Sequence, residues 1–315
     1  MTSSDTSVPL VEAAHSESHT LGAWLVFASA VSWSTGGIIS RLADVDNPWN
    51  TVFWRSGSAM LLLLAFMLVR DGRRGTLELF RGMGWAGMAV AMCFAIASTS
   101  FIVALQFTTV ANILLMQAGV PLIAALISRI VFGEPLRPST WIAIGAVIFG
   151  VAVMVSDSFN GKVSPIGDGL ALVISFAFAL ATVITRRYSH IRMTPAVTTG
   201  VGIAWVVSIF MSMASVGGVM VEAWQLPLLF VFGATLALGL ALFTSGARRI
   251  PSAFAALIGT VEPILGPIWV WAFLNEIPSV RTIVGGSIVL FALIAYLVWQ
   301  IIEQRRMKRV APPVH

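Results

Sequence analysis

Long apolar runs, separated by short clusters of arginine, glycine and proline, set the pattern of this chain. Ten runs stand out, near 22–40, 48–69, 83–105, 109–132, 139–156, 169–185, 194–215, 226–246, 251–274 and 281–302. A helix needs about 20 mostly apolar residues to cross a bilayer core. All ten predict helices, because an open chain in lipid has no other way to pair its backbone groups. Several are interrupted by Pro or Gly, so the number of spans is less sharply defined than the class.

Composition agrees with the pattern. Hydrophobic residues make up 57% of the 315, charged residues only 10%, and the mean hydropathy is +0.90. A soluble domain carries about 25% charged residues, so a soluble fold is excluded. Cys93 is the only cysteine, which excludes a disulfide within the chain and a thiolate metal cluster. His15, His19, His190 and His315 fall in the tails or a loop, leaving no histidine site inside the membrane. Neither a cofactor nor a metal is expected, and no nucleic-acid partner. The first 21 residues are polar and acidic, without the basic segment of a signal peptide; they read as a disordered cytoplasmic tail. Residues 303–315, "EQRRMKRVAPPVH" from Glu303, read as a basic cytoplasmic tail.

The chain repeats itself. "VPLIAALISRIVFGE" (120–134) parallels "EPILGPIWVWAFLNE" (262–276), with Pro121 matching Pro263 and Glu134 matching Glu276 at an offset of 142. Ala111 and Ala253, and Phe149 and Phe291, keep the same offset. The expected organisation is a first repeat over 22–157, a linker over 158–167, and a second repeat over 168–302, with five spans each. An odd number of spans per repeat turns the second repeat over in the membrane.

Charge tests that inversion. With both termini cytoplasmic, fifteen Lys and Arg fall inside: Arg70, Arg73, Arg74, Arg81, Arg129, Arg137, Arg186, Arg187, Arg192, Arg248, Arg249, Arg305, Arg306, Lys308 and Arg309. Three fall outside, Arg41, Lys162 and Arg281, and Arg55 lies within a span. The asymmetry follows the positive-inside rule. It also accounts for the net charge of +5. The predicted fold is all-α, with ten transmembrane helices in two inverted five-helix repeats. Such repeats mark alternating-access carriers, whose substrate sits near the midplane between the halves.

"ALQFTTVANILLMQAGVPLIAALISRIVFGEPL" and "ARRIPSAFAALIGTVEPILGPIWVWAFLNEIPS" resemble the third-to-fifth helix signature of the EamA-type, ten-helix branch of the drug/metabolite transporter superfamily. "GDGLALVISFAFALATVITRR" (167–187) resembles the opening of that family's second repeat. Phe178 stands there where a tryptophan is usual, whereas "VSWSTGGIISR" in the first repeat keeps it. The resemblance covers nearly the whole chain outside the tails. It implies a carrier rather than a pump, and a sequence with no intramembrane histidine, no paired aspartates and no nucleophile elbow argues against a membrane-embedded enzyme. It leaves the substrate open, since members move amino acids, vitamins, nucleosides and other metabolites, often outward.

Only Arg55 and Glu262 are ionisable residues deep within spans. A charge at mid-bilayer costs about 2.5–3.5 kcal/mol on insertion scales, so such groups face a wet cavity or a partner. At 1.5 Å per residue, Arg55 lies roughly 10 Å below the outer surface. Glu262 lies roughly 17 Å above the inner one, in a core about 30 Å thick. The two depths admit an ion pair between them. Ala255, Gly259, Glu262, Gly266 and Trp269 share one helical face that suits a pocket wall. The structural alternatives for Glu262 are a pair holding spans 2 and 9 together, or a donor to the carbonyl freed by a Pro263 kink. Asn112 and Gln117, five apart on span 4, divide between substrate and a neighbouring helix. Ser98, in "STS", offers a hydroxyl, with back-bonding to its own helix as the alternative. Of the eleven tryptophans, Trp33 is the best candidate for the site, because it shares a face with Gly36, Gly37 and Ser40. Trp24, Trp85, Trp141, Trp224 and Trp299 read as interfacial belt. Pro121 and Pro263 are the candidate hinges.

The expected function is secondary active transport of a small metabolite across the cytoplasmic membrane. Export of an amino acid or similar zwitterion fits one acid and one base at midplane depth. The alternatives are uptake of a vitamin- or nucleoside-like metabolite, and a drug or lipid flippase. Membrane lipid is an expected partner and the proton a candidate coupling ion. The oligomeric state stays open, a monomer included.

Overall fold

The structure is a computed structural model describing residues 7–156 and 164–310. The expected linker lies mostly outside the described residues. Polar caps and prolines start several helices. Asn47, Thr109 and Ser164 each accept a backbone N–H of the helix they precede, and Pro48 and Pro165 occupy first-turn positions. Left-handed residues stop others, among them Gly133 (φ 69°), Gly217 (φ 72°) and Asn275 (φ 54°). Gly133 and Asn275 are 142 apart, so the two repeats share a stop signal as well as a sequence.

The helices are α1 (Ser7–Ser34), α2 (Gly36–Ala43), α3 (Pro48–Gly82), α4 (Gly84–Ala104), α5 (Val110–Gln117), α6 (Val120–Phe132), α7 (Pro138–Val155), α8 (Pro165–Arg187), α9 (Thr194–Val216), α10 (Gln225–Gly246), α11 (Ser252–Gly259), α12 (Val261–Leu274) and α13 (Val280–Val310). Span 1 is α1 with α2. Span 4 is α5 with α6, bent by 42°. Span 9 is α11 with α12. Each other span is one helix.

Two boundaries differ from the sequence reading. Helix α1 starts at Ser7, inside the expected disordered tail, and α13 runs to Val310, inside the expected basic tail. Leu10, Glu12, Ala13 and Ala14 favour helix once a span is nucleated beside them, and so do Gln304 and the basic residues after Tyr296.

Helix packing has a two-fold logic. Eight spans form a closed ring in the order 1, 8, 2, 7, 3, 6, 4, 9 and back to 1. Exchanging each span with its counterpart five places on returns the same ring. Spans 5 and 10 pack on each other outside it, against spans 4 and 9. A Cβ on Gly285 would come within 2.4 Å of the Gly150 carbonyl, so this outer pair meets backbone to backbone through glycine.

Loop contacts sort into two ends. At the near end, where span 1 begins, Gly22 lies against Arg249 and Ile250, Asp71 pairs with Arg192, Glu134 with Arg186, and Arg137 with Glu303. At the far end, Arg41 meets Glu276, Gly167 lies against Thr108, Asn47 donates to Ser215, and Arg281 donates to Ser156. Span 1 therefore starts at the near end and span 6 at the far end. The fold is ten membrane-spanning helices in two inverted five-helix repeats.

Candidate functional site

Span 2 sends Arg55 into the protein. The residue is 7% exposed. Its Nη1 donates to the Ser98 Oγ on span 3 at 2.9 Å and, more weakly, to the Ser98 carbonyl at 3.4 Å. The guanidinium lies 4.6 Å from the Phe232 ring centre and 5.9 Å from that of Phe101, so two aromatic faces clamp it. Its Nε is buried without a hydrogen-bond partner among the described residues. A guanidinium carries five N–H donors, and the protein engages those on one nitrogen. This cation is held in place but not neutralised.

The expected ion pair is absent. Four ion pairs form among the described residues, and none joins Arg55 to Glu262. The ring order gives the reason. Spans 1 and 8 stand between span 9 and span 2, and Ser98 and Phe232 draw Arg55 toward spans 3 and 8.

Glu262 sits at the start of a half-helix. Helix α11 ends at Gly259, and α12 restarts at Val261, so Glu262 is the second residue of α12 and Pro263 the third. The proline kink considered from sequence is corrected here. Pro263 falls in a first turn, where its missing N–H would have no acceptor within the helix. The break itself lies at Thr260, whose N–H bonds back only three residues, to the Leu257 carbonyl. Span 4 breaks at the matching place, Ala118 and Gly119, just before Pro121. Glu262 is partly exposed. On its face, Gly266 packs against Leu114 of α5, and Trp269 donates to the Ser34 Oγ of α1 at 3.0 Å. A side chain at Gly259 would meet no atom within 4 Å, so open space adjoins this turn.

The remaining candidates divide. Gln117 ends α5 at the other break, and its Nε2 is buried without a partner among the described residues. Asn112 is 1% exposed, and its Nδ2 donates to Thr108 Oγ1 at 3.0 Å and to Asp168 Oδ1 at 2.5 Å, so it ties span 4 to span 6. Trp33 donates to the Leu236 carbonyl of span 8 at 3.3 Å, and Gly239 lies beneath its indole. Asp168 and Phe232 were not singled out from sequence. Asp168 sits at the edge of a stretch whose Ser, Gly and Pro content signals a linker. Phe232 is one of nineteen phenylalanines, and nothing in its local sequence marks it.

A groove of about 520 Å³ between α7 and α13 is lined by apolar side chains with Ser139, Ser287 and Tyr296. It lies outside the ring and includes neither Arg55 nor Glu262, so it is separate from this site.

The sequence profile described as the EamA-like transporter family matches residues 20–156 and again 165–298. A Bacillus subtilis (strain 168) protein described as the uncharacterized transporter YwfM is 25% identical over 289 residues, covering 85% of this chain and 91% of that one. One solved structure, titled only as the crystal structure of a protein, superposes with a TM-score of 0.63 at 16% identity, over 91% of this chain and 99% of that chain. That last likeness is one of fold.

Proposed function

Because the chain belongs to the EamA-like transporter family, we propose that this small-molecule transporter is a secondary carrier exporting an amino acid or a similar zwitterion. The observation that carries this reading is Arg55. A buried cation without a counter-ion is costly unless something else neutralises it. A carboxylate entering the ring would meet the unused donors of a preorganised guanidinium. Glu262, three places round the ring from the span of Arg55, suits the ammonium of the same molecule. Phe101 and Trp269 suit its apolar part. Glu262 also suits a proton when the substrate site is empty, which makes it the candidate coupling group. At the N-terminus of α12 the helix dipole favours its charge, typically by 0.3–1 kcal/mol.

In this reading the near end is cytoplasmic, which the distribution of arginines supports, and the protein lies in the cytoplasmic membrane. Orientation is checked with single cysteines at exposed loop positions in a Cys93→Ala background. Asp46→Cys at the far end should react with an impermeant maleimide added to intact cells, and Arg74→Cys at the near end should not. The reverse pattern contradicts the orientation.

Substrate class is tested with purified protein in liposomes loaded with amino acids, nucleosides and vitamins. Release of amino acids, unchanged, is expected. Selective movement of nucleosides or vitamins, or of labelled phospholipid between leaflets, would replace this proposal with one of the alternatives.

A further inference from the structure

The two ends of the bundle carry equivalent ion pairs in unequal states. Aligning Trp33 with Phe178 places Arg41 on Arg186, an offset of 145, and Glu134 matches Glu276 at 142. At the far end Arg41 Nε bonds Glu276 Oε2 at 2.9 Å, and at the near end Arg186 Nη2 bonds Glu134 Oε2 at 2.9 Å. Each pair joins the end of a repeat's first helix to the end of the other repeat's fourth. The inverted symmetry thus reproduces the same contact at opposite membrane surfaces.

Their surroundings differ. Arg41 also donates to the carbonyls of Leu105 at 2.7 Å and Thr108 at 2.9 Å. Glu276 Oε1 accepts the Val110 N–H at 2.9 Å. The far pair therefore gathers the ends of spans 1, 3 and 9 and the start of span 4 into one knot. The near-end counterparts of Leu105, Thr108 and Val110 are Ala247, Ile250 and Ser252. Among the described residues, Arg186 and Glu134 bond only each other and reach none of these groups. The far side chains are 31% and 20% exposed, the near ones 68% and 41%.

The loops themselves are not displaced in the same way. Gly167 packs on Thr108 at the far end, and its equivalent Gly22 packs on Ile250 at the near end, with would-be Cβ contacts of 2.7 Å and 2.9 Å. That contact is kept at both ends. What differs is whether the arginine and glutamate close across to the loop.

We propose that Arg41–Glu276 and Arg186–Glu134 are the two states of one alternating latch, closed at the far end in this structure and open at the near end. In the opposite state Arg186 engages the carbonyls of Ala247 and Ile250, Glu134 accepts the Ser252 N–H, and the far knot comes apart. The inference rests on the carrier reading and makes these four residues determinants of which face is open, without contact to substrate.

The test uses the full chain in membranes, in a Cys93→Ala background, and needs no substrate. Ile39→Cys and Ile184→Cys report within one turn inside each arginine, at equivalent positions that are both half-buried. Maleimide labelling is read in each, with Arg41→Gln, Glu276→Gln, Arg186→Gln or Glu134→Gln added. Breaking the far knot should raise labelling of Ile39→Cys about tenfold, the change that 1.4 kcal/mol makes, and lower labelling of Ile184→Cys. Breaking the near pair should do the reverse by about twofold, since it is an exposed pair. The charge swap of Arg41→Glu with Glu276→Arg should return Ile39→Cys labelling toward the parent value. Labelling that rises at both reporters means general loosening and overturns the latch. Labelling that is unchanged at both overturns it too. Either result leaves the roles of Arg55 and Glu262 untouched, and a failure of those roles leaves the labelling prediction standing.

Discussion

Spans 4 and 9 are the same element used for two purposes. Both are broken helices, interrupted at positions 142 apart, restarted by Val120 with Pro121 in one and by Val261 with Glu262 and Pro263 in the other. Both end in a left-handed residue followed by a glutamate, Gly133 with Glu134 and Asn275 with Glu276. At the break they diverge. Span 4 carries Gln117 and Val120 where span 9 carries Gly259 and Glu262. In the proposed carrier reading, the duplicated backbone supplies the symmetry that alternating access needs, and the side chains at its break points supply asymmetry for recognition. The cation, Arg55, belongs to the first repeat and the acid, Glu262, to the second, so the two halves contribute opposite charges.

The comparison breaks most visibly at Glu262. Glu262→Gln should insert normally and lose about a hundredfold in transport, as expected when a charged hydrogen-bonding partner worth roughly 1.5–3 kcal/mol is removed, together with any pH dependence of the rate. If the two breaks were chemically interchangeable, Glu262→Val combined with Val120→Glu would restore transport. The asymmetric account predicts that it does not, measured as efflux at matched protein levels. Arg55→Lys should come next, raising the half-saturating substrate concentration about tenfold. An ammonium cannot keep the Ser98 bond and the aromatic clamp while offering a two-pronged face to a carboxylate.

How much of this was legible in sequence follows from which forces act locally. The spans, the repeats and their inversion are written in apolar run length, in Pro and Glu spacing and in arginine placement, all of which act within one loop or one helix. The positions of Arg55 and Glu262 were legible for the same reason, since a charge inside an apolar run stands out. Their separation was not. It depends on spans 1 and 8 standing between them, and ring order is set by packing between distant segments. Asn112 shows the same limit. A polar residue on span 4 announces a need for a partner, but Asp168 across on span 6 could be known only once the helices were placed. Pro263 signalled an interruption correctly but not its place, because the break falls at Thr260, three residues earlier.

Smaller effects sharpen the contrast between the two glycines beside Glu262. Gly266→Ala pushes a methyl to 2.1 Å from Leu114 of α5 and should destabilise the protein by about 1–3 kcal/mol. Gly259→Ala enters open space and should leave stability unchanged or raise it by up to about 1 kcal/mol. Thermal unfolding in detergent distinguishes them. Smallest is the tryptophan pair. Trp33→Ala removes an indole packed over Gly239 and should slow transport severalfold. Trp141→Ala, 49% exposed on span 5 outside the ring, should leave the rate within about a factor of two. Equal losses in both would take Trp33 out of the site.

The central claim is that Arg55 reads a carboxylate and Glu262 an ammonium on one molecule. Counterflow in proteoliposomes tests it directly, using one transported amino acid and two competitors, its decarboxylated amine and its deaminated acid. In the parent protein the amino acid should compete far better than either fragment. In Arg55→Gln the amine should compete as well as the amino acid, and in Glu262→Gln the acid should do so. Competition by both fragments unchanged across the three proteins would contradict the account.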